Sequence, residues 1–182
     1  VRRDPAALAD TNCLAVVALG AMHRNPWIQY HSLVMLGIAG PGATSALPVV
    51  KARMTAKGRT IAQHAAGTVW RISGERREPM VLLLVSLASR DQPTLDWAHR
   101  YLYEMAPETV PLLPGWKVLM TDNPPPKVAT RWLLPLPCGP GGPLLIRTLE
   151  KLTEAKDADL AAASREALER LLCTAENSRL EQ

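Results

Sequence analysis

Apolar positions recur along this chain at short helical intervals, and the segments that carry them recur in turn. Five segments begin Ile28-Gln-Tyr-His-Ser, Ile61-Ala-Gln-His-Ala, Leu95-Asp-Trp-Ala-His, Val128-Ala-Thr-Arg-Trp and Leu160-Ala-Ala-Ala-Ser, with first residues 33, 34, 33 and 32 apart. Eight residues further on stand Leu36, Val69, Tyr103, Leu136 and Leu168; eleven further on stand Ala39, Ile72, Ala106, Gly139 and Leu171. At 3.6 residues per turn these offsets share one face. Each segment is therefore predicted to be a helix that hides one stripe, at the same phase each time. The Thr60–Gly74 segment is the cleanest, with small and apolar residues on one side and Ser73-Gly74 closing it.

The intervening stretches also match. Leu47, Met80, Leu112 and Leu145 each precede a second apolar position by seven residues, at Met54, Leu87, Leu119 and Leu152. These predict partner helices at roughly residues 43–55, 77–89, 108–121 and 142–154, with a weaker one from Pro5 to Met22. Breaks fall between them, at Asn25-Pro26, Gly40-Pro41-Gly42, Asp91-Gln-Pro93, Asp122-Asn-Pro-Pro-Pro126 and Cys138-Gly-Pro-Gly-Gly-Pro143. Asn25 before Pro26 reads as a helix cap followed by a first-turn proline.

Two helices per unit and a period near 33 residues predict a helical solenoid. One pair cannot cover its own apolar face, and stacked neighbours make a continuous core. The run GIAGPGATSALPVV leading into IAQHAAGTVWRISG resembles HEAT-like repeats, in particular the short bacterial type. That resemblance implies an all-α, right-handed α-solenoid of about five antiparallel helix pairs, over units at about 5–40, 41–74, 75–107, 108–140 and 141–174. Units three and four depart from it. Trp97-Ala98-His99-Arg100-Tyr101 and Arg131-Trp132-Leu133 replace the central small residues, and Pro114-Gly115, Pro135 and Pro137 predict kinks in the fourth unit. Glu150 to Leu172 is acidic and alanine-rich, as suits a polar capping unit, and residues 175–182 are expected to fray.

Composition narrows the function. Phe is absent and aromatics are 4%, so Ala, Leu and Val must do the packing. Net charge is +4, with seven basic residues against the single acid Glu75 between Lys51 and Arg77. Cys13, Cys138 and Cys173 are far apart and odd in number, which implies no disulfide framework and suits a reducing, cytoplasmic setting. No apolar run is read as long enough for a membrane span. Residue 1 is Val with no signal-peptide pattern, compatible with a fragment whose true start is missing.

No nucleotide-binding, zinc-protease or serine-hydrolase motif is present. Gly139-Pro-Gly-Gly142 reads as a linker and Cys138 as a turn thiol, with no base nearby in sequence. His31 and His64 share a phase in neighbouring units, but no third ligand accompanies them, so both are expected as neutral, semi-buried core residues. No catalytic residue, metal or cofactor is assigned.

The informative positions are two, five and nine residues after each leading aliphatic, which project away from the predicted stripe. They include Tyr30, Leu33 and Gly37, then Gln63, Ala66 and Trp70, then Trp97, Arg100 and Glu104, then Thr130, Leu133 and Pro137. The HEAT resemblance places this face on the concave side. Tyr30, Trp70, Trp97, Arg100, Tyr101, Arg131 and Leu133 then predict an aromatic-lined groove for a protein or peptide partner. The alternative is a nucleic-acid-binding protein: some HEAT-like proteins excise alkylated DNA bases, and Trp70, Trp97, Tyr101, Arg100 and Asp96 resemble such a set, with Lys51–Arg77 to hold phosphates. A structural or oligomerising segment of a larger protein is the third reading.

Overall fold

The computed structural model describes residues 11–89, 91–107 and 143–180. Every regular element among them is helical. In order these are α1 (Thr11–Ala21), α2 (Pro26–Ala39), a 3-10 segment (Gly40–Ala46), α3 (Leu47–Arg53), α4 (Arg59–Ser73), α5 (Arg77–Ser86), α6 (Gln92–Met105), α7 (Pro143–Leu152) and α8 (Ala158–Leu180). The chain forms two compact units, Val1–Pro79 and Met80–Gln182. The expected helix at 108–121, the expected second helix of the fourth unit and its linker lie outside the described residues.

The helix starts follow from local chemistry. Four helices begin at 26, 59, 92 and 158, each just after a residue suited to a cap. Asn25 Oδ1 accepts the Trp27 N–H at 2.9 Å, and Pro26 takes the first helical position, where no intrahelical N–H bond is lost. Asp91 accepts both the N–H and the hydroxyl of Thr94, at 3.0 and 2.6 Å. Asp157 accepts the Leu160 N–H at 2.9 Å. Gly58 holds the same place before α4 with no side chain to cap it. At the other end of α4, Gly74 adopts φ +74 and returns its N–H to the Trp70 carbonyl at 2.7 Å. That left-handed conformation is strained for any residue with a β-carbon.

In the first unit α1 packs on α2, α3 on α4, α2 on α4 and α1 on α3, with the 3-10 segment wedged among all four. The centre is α4. Ile61 through Val69 are buried without interruption, so this helix is enclosed on all sides rather than along one stripe as expected. Leu33, Leu36, Val50, Ala65, Ala66 and Val69 form the dry middle. Buried polar groups tie the layers together. Thr68 donates its hydroxyl to the Leu33 carbonyl at 3.0 Å. Gln29 donates to the His23 carbonyl and accepts Arg53 Nη2 at 2.9 Å, joining the α1–α2 turn to α3. Gly20 sets the closeness of α1 to α2, because a β-carbon there would overlap Ser32 Oγ.

Pro26–Arg53 is apolar and long enough, by composition, to cross a membrane, contrary to the expectation that no run reaches that length. It is not one straight helix. Gly40 turns the chain at φ +55, ψ −134, and Ala43 is non-helical at φ −93, ψ 21. Leu33, Leu36, Ala43, Ala46 and Val50 of this stretch face the core of the unit.

In the second unit, α5 buries Met80, Val81, Leu83 and Leu84, and α6 buries Leu95, Ala98 and Leu102. Helix α7 packs on α8 through Leu145, Leu149 and Leu152 on one side and Leu160, Ala163 and Leu171 on the other. Helix α8 continues to Leu180, so residues 175–180 are helical where fraying was expected. Two leading-stripe positions are exposed rather than buried: Ile28, in the first turn of α2, and Tyr103, in the last turn of α6.

These contacts make local predictions. Removing the α6 cap with Asp91→Ala costs about 1 kcal/mol in urea unfolding, whereas Gly58→Asn gains a few tenths, about 0.3 kcal/mol. Gly74→Ala costs about 1 kcal/mol through its left-handed φ. Unchanged urea midpoints in all three would contradict the cap geometry.

Candidate binding surface

Among the described residues, ring contacts form one cluster in the first unit and another in the second. In the first, Tyr30 stands at the α2–α4 seam, half-buried. Its ring meets His64 of α4 edge-on at 4.5 Å, and Trp27 stacks on it at 5.7 Å with an interplanar angle of 24°. His31 meets both rings edge-on, at 4.9 Å from Tyr30 and 4.7 Å from Trp27. Trp27 is 69% exposed. It did not emerge from the periodicity because it precedes the leading aliphatic position. The available signal was its place just after the Asn25-Pro26 cap, where a first-turn side chain projects beyond the packed faces.

His31 and His64 part company. His64 is 1% exposed and sits inside the unit, as expected, but His31 is exposed on the far side of Tyr30. The phase is shared, yet α4 has α2 to cover it and α2 has no described neighbour on the corresponding side. No group of three metal-ligating side chains forms among the described residues.

In the second unit, α6 carries the other cluster. Trp97 is half-buried and stacks on Tyr101 at 5.9 Å and 28°. The Arg100 guanidinium carbon lies 5.3 Å from the Trp97 ring centre, within cation–π range. Arg100 also approaches Glu104 at 3.9 Å while its side chain stays 65% exposed. Tyr101 corrects the expectation for it: at 3% exposure it backs Trp97 rather than lining a surface. Four residues after Trp97, it lies one turn on, toward the packed side of α6.

Trp70 is half-buried near the end of α4. Arg131 and Leu133 lie outside the described residues. Four other positions of the predicted open face are closed: Leu33, Gly37, Gln63 and Ala66 are buried. The seam between α2 and α4 takes up Leu33, whose carbonyl accepts the Thr68 hydroxyl, and Gly37, which lies against Thr68 and Arg71. The exposed face of α2 carries Trp27, Ile28, His31, Met35 and Ile38 instead.

The charges of the Lys51–Arg77 span are partly engaged within the unit. Lys51 holds Glu75 at 2.6 Å, which raises its ammonium above the ordinary value, and Arg53 is bound to Gln29. Both Lys51 and Glu75 are well exposed, so the pair contributes about 0.5 kcal/mol or less. Cys13 is half-buried and Cys173 exposed, and both are free thiols.

One buried base is set by its surroundings. His99 of α6 is 1% exposed, and its Nδ1–H donates to the Leu95 carbonyl at 2.8 Å. Burial lowers its pKa, outweighing the opposing pull of that hydrogen bond and of the Asp96 charge. No protein-family model matches the chain, and no curated protein and no solved structure matches it significantly.

His99 folds neutral, whereas the unfolded chain takes a proton at the ordinary histidine value. Its stabilising contribution is therefore complete above about pH 6.5 and is lost as pH falls from there through the depressed folded value. Between about pH 7.5 and about pH 5.5 the wild-type urea midpoint should fall more steeply than that of His99→Gln. Equal slopes would show that His99 does not carry the acid sensitivity.

Proposed function

We propose that this chain is a right-handed α-solenoid of about five HEAT-like helix pairs that works as a non-catalytic, cytoplasmic scaffold for a protein or peptide. The repeat reading is supported by helix starts at 26, 59, 92 and 158 and, in the first unit, by second helix packing on second helix and first on first. The observation that carries the binding reading is Trp97 with Arg100. A half-exposed indole under an exposed guanidinium, braced by a buried tyrosine, combines the residue types that dominate binding hot spots in a preorganised form. Trp27 and Tyr30 repeat the motif of a surface ring supported from below.

An extended peptide with an aliphatic or aromatic anchor and a carboxylate suits the Trp97–Arg100 pair, the anchor on the indole and the carboxylate on the guanidinium. Base excision draws less support. Lys51 and Arg53 of the basic span are engaged within their unit, Tyr101 is buried, and the remaining charge is small.

Selection of a random-peptide phage library on the purified chain tests the reading. An enriched peptide class should bind with affinity reduced about tenfold or more by Trp97→Ala and by Arg100→Ala. Absence of any enriched class, or affinities unmoved by either substitution in folded protein, would overturn it.

A further inference from the structure

The net charge of +4 conceals an uneven division along the chain. From Thr11 to Gly74 the sequence holds no aspartate or glutamate, against Arg24, Lys51, Arg53, Lys57, Arg59 and Arg71. The next acids, Glu75 and Glu78, come only after α4, and Glu75 is tied to Lys51. Arg24, Lys57 and Arg59 are exposed.

The fold gathers these three cations at one end of the first unit. Helices α2 and α4 run parallel, because their contacts advance together: Tyr30 with His64, Leu33 with Thr68, then Gly37 with Thr68 and Arg71. Their first turns therefore lie side by side, with axes about 8–10 Å apart. Arg24 stands just before α2, and Lys57 and Arg59 flank the start of α4. Gln29 draws the two ends together, donating to the His23 carbonyl before α2 and accepting from Arg53 at the end of α3. Trp27, the second residue of α2, stands at the same end. Its indole stacks on Tyr30 at an interplanar angle of 24°, and His31 meets it edge-on. At 69% exposure most of that indole remains in water.

We infer that this end of the first unit binds single-stranded nucleic acid without regard to sequence, with phosphates on Arg24, Lys57 and Arg59 and a base stacked on Trp27. Two features select that occupant. Cations with no acid among them call for a polyanion. The Trp27–Tyr30 pair, already a stack of two near-parallel rings, calls for a planar group that extends it. A strand with unpaired bases supplies both. A duplex keeps its base faces covered by one another, and a lipid headgroup brings the charge without the plane. Such binding needs neither a cleft nor a catalytic acid. It does not rest on the peptide-binding reading, which Trp97 and Arg100 carry.

Fluorescence polarisation of a labelled oligothymidylate of about 15 nucleotides, titrated with the full chain at about 50 mM salt, tests it. Binding should saturate and weaken about fivefold or more in Trp27→Ala, with most of the affinity kept by Trp27→Phe, which retains a ring. Arg24→Gln with Lys57→Gln should flatten the slope of log affinity against log salt by about 1.4. A duplex of the same length should bind more weakly, and Arg165→Gln in the second unit should leave the affinity in place. Far-UV circular dichroism checks that each variant is folded. No binding up to about 50 µM protein, affinity unmoved by Trp27→Ala, or equal affinity for the duplex would overturn the inference. Binding to vesicles of mixed phosphatidylcholine and phosphatidylserine in place of the oligonucleotide would overturn it as well, by assigning the cations to a lipid surface.

Discussion

The first unit depends on the seam between α2 and α4. A helix buried on every side has no solvent to hydrate polar groups and little room for large ones. Helix α4 meets the second condition with alanines at 62, 65 and 66 and a glycine at 67. It meets the first through Thr68, whose hydroxyl reaches across to the Leu33 carbonyl. Close approach at Gly37 makes that bond geometrically available. Without small residues on both helices the same hydroxyl would be stranded, and a buried donor left unmade costs about 1–3 kcal/mol.

Around that seam, polar contacts fix positions that burial alone leaves free. Apolar packing favours α2 against α4 but is not directional. Gln29 adds direction by bonding the chain before α2 on one side and Arg53 of α3 on the other. The asparagine and aspartate caps do the same for helix entry: Asn25, Asp91 and Asp157 each fix where a helix begins, so the stripes that follow start at one phase. The rings then come to rest where these constraints leave them. Tyr30 fills the mouth of the seam over His64, and Tyr101 sinks beneath Trp97.

Much of the helical layout was legible in advance because it rests on neighbours in sequence. Asn25-Pro26 and Ser73-Gly74 are short-range signals and both appear as a cap and a left-handed terminus. The stripes at Leu36, Val69, Ile72, Leu95 and Leu171 are buried as their spacing predicts. The binding surface was less legible. Trp97 and Arg100 stand together as anticipated, but Tyr101, expected in the groove, is buried, and the exposed Trp27 was not singled out by the pattern. A ring can pack or project with equal local plausibility, and the choice lies with whatever helix lies beside it.

Periodicity therefore specified that these segments are helices, where they start and stop, and one face that each must hide. It could not specify how many faces are hidden, because that depends on the number of helices touching each one. Leu33, Gly37, Gln63 and Ala66 look outward on a helical wheel drawn for one stripe, and all four are buried, Leu33 and Gly37 of them where α2 meets α4. Ile28 looks inward on the same wheel and is 40% exposed, because α1 approaches it at Gly20, which has no side chain to cover it. Sequence spacing records the angle of a side chain about its own axis; only the packed structure decides whether a neighbour or water stands at that angle.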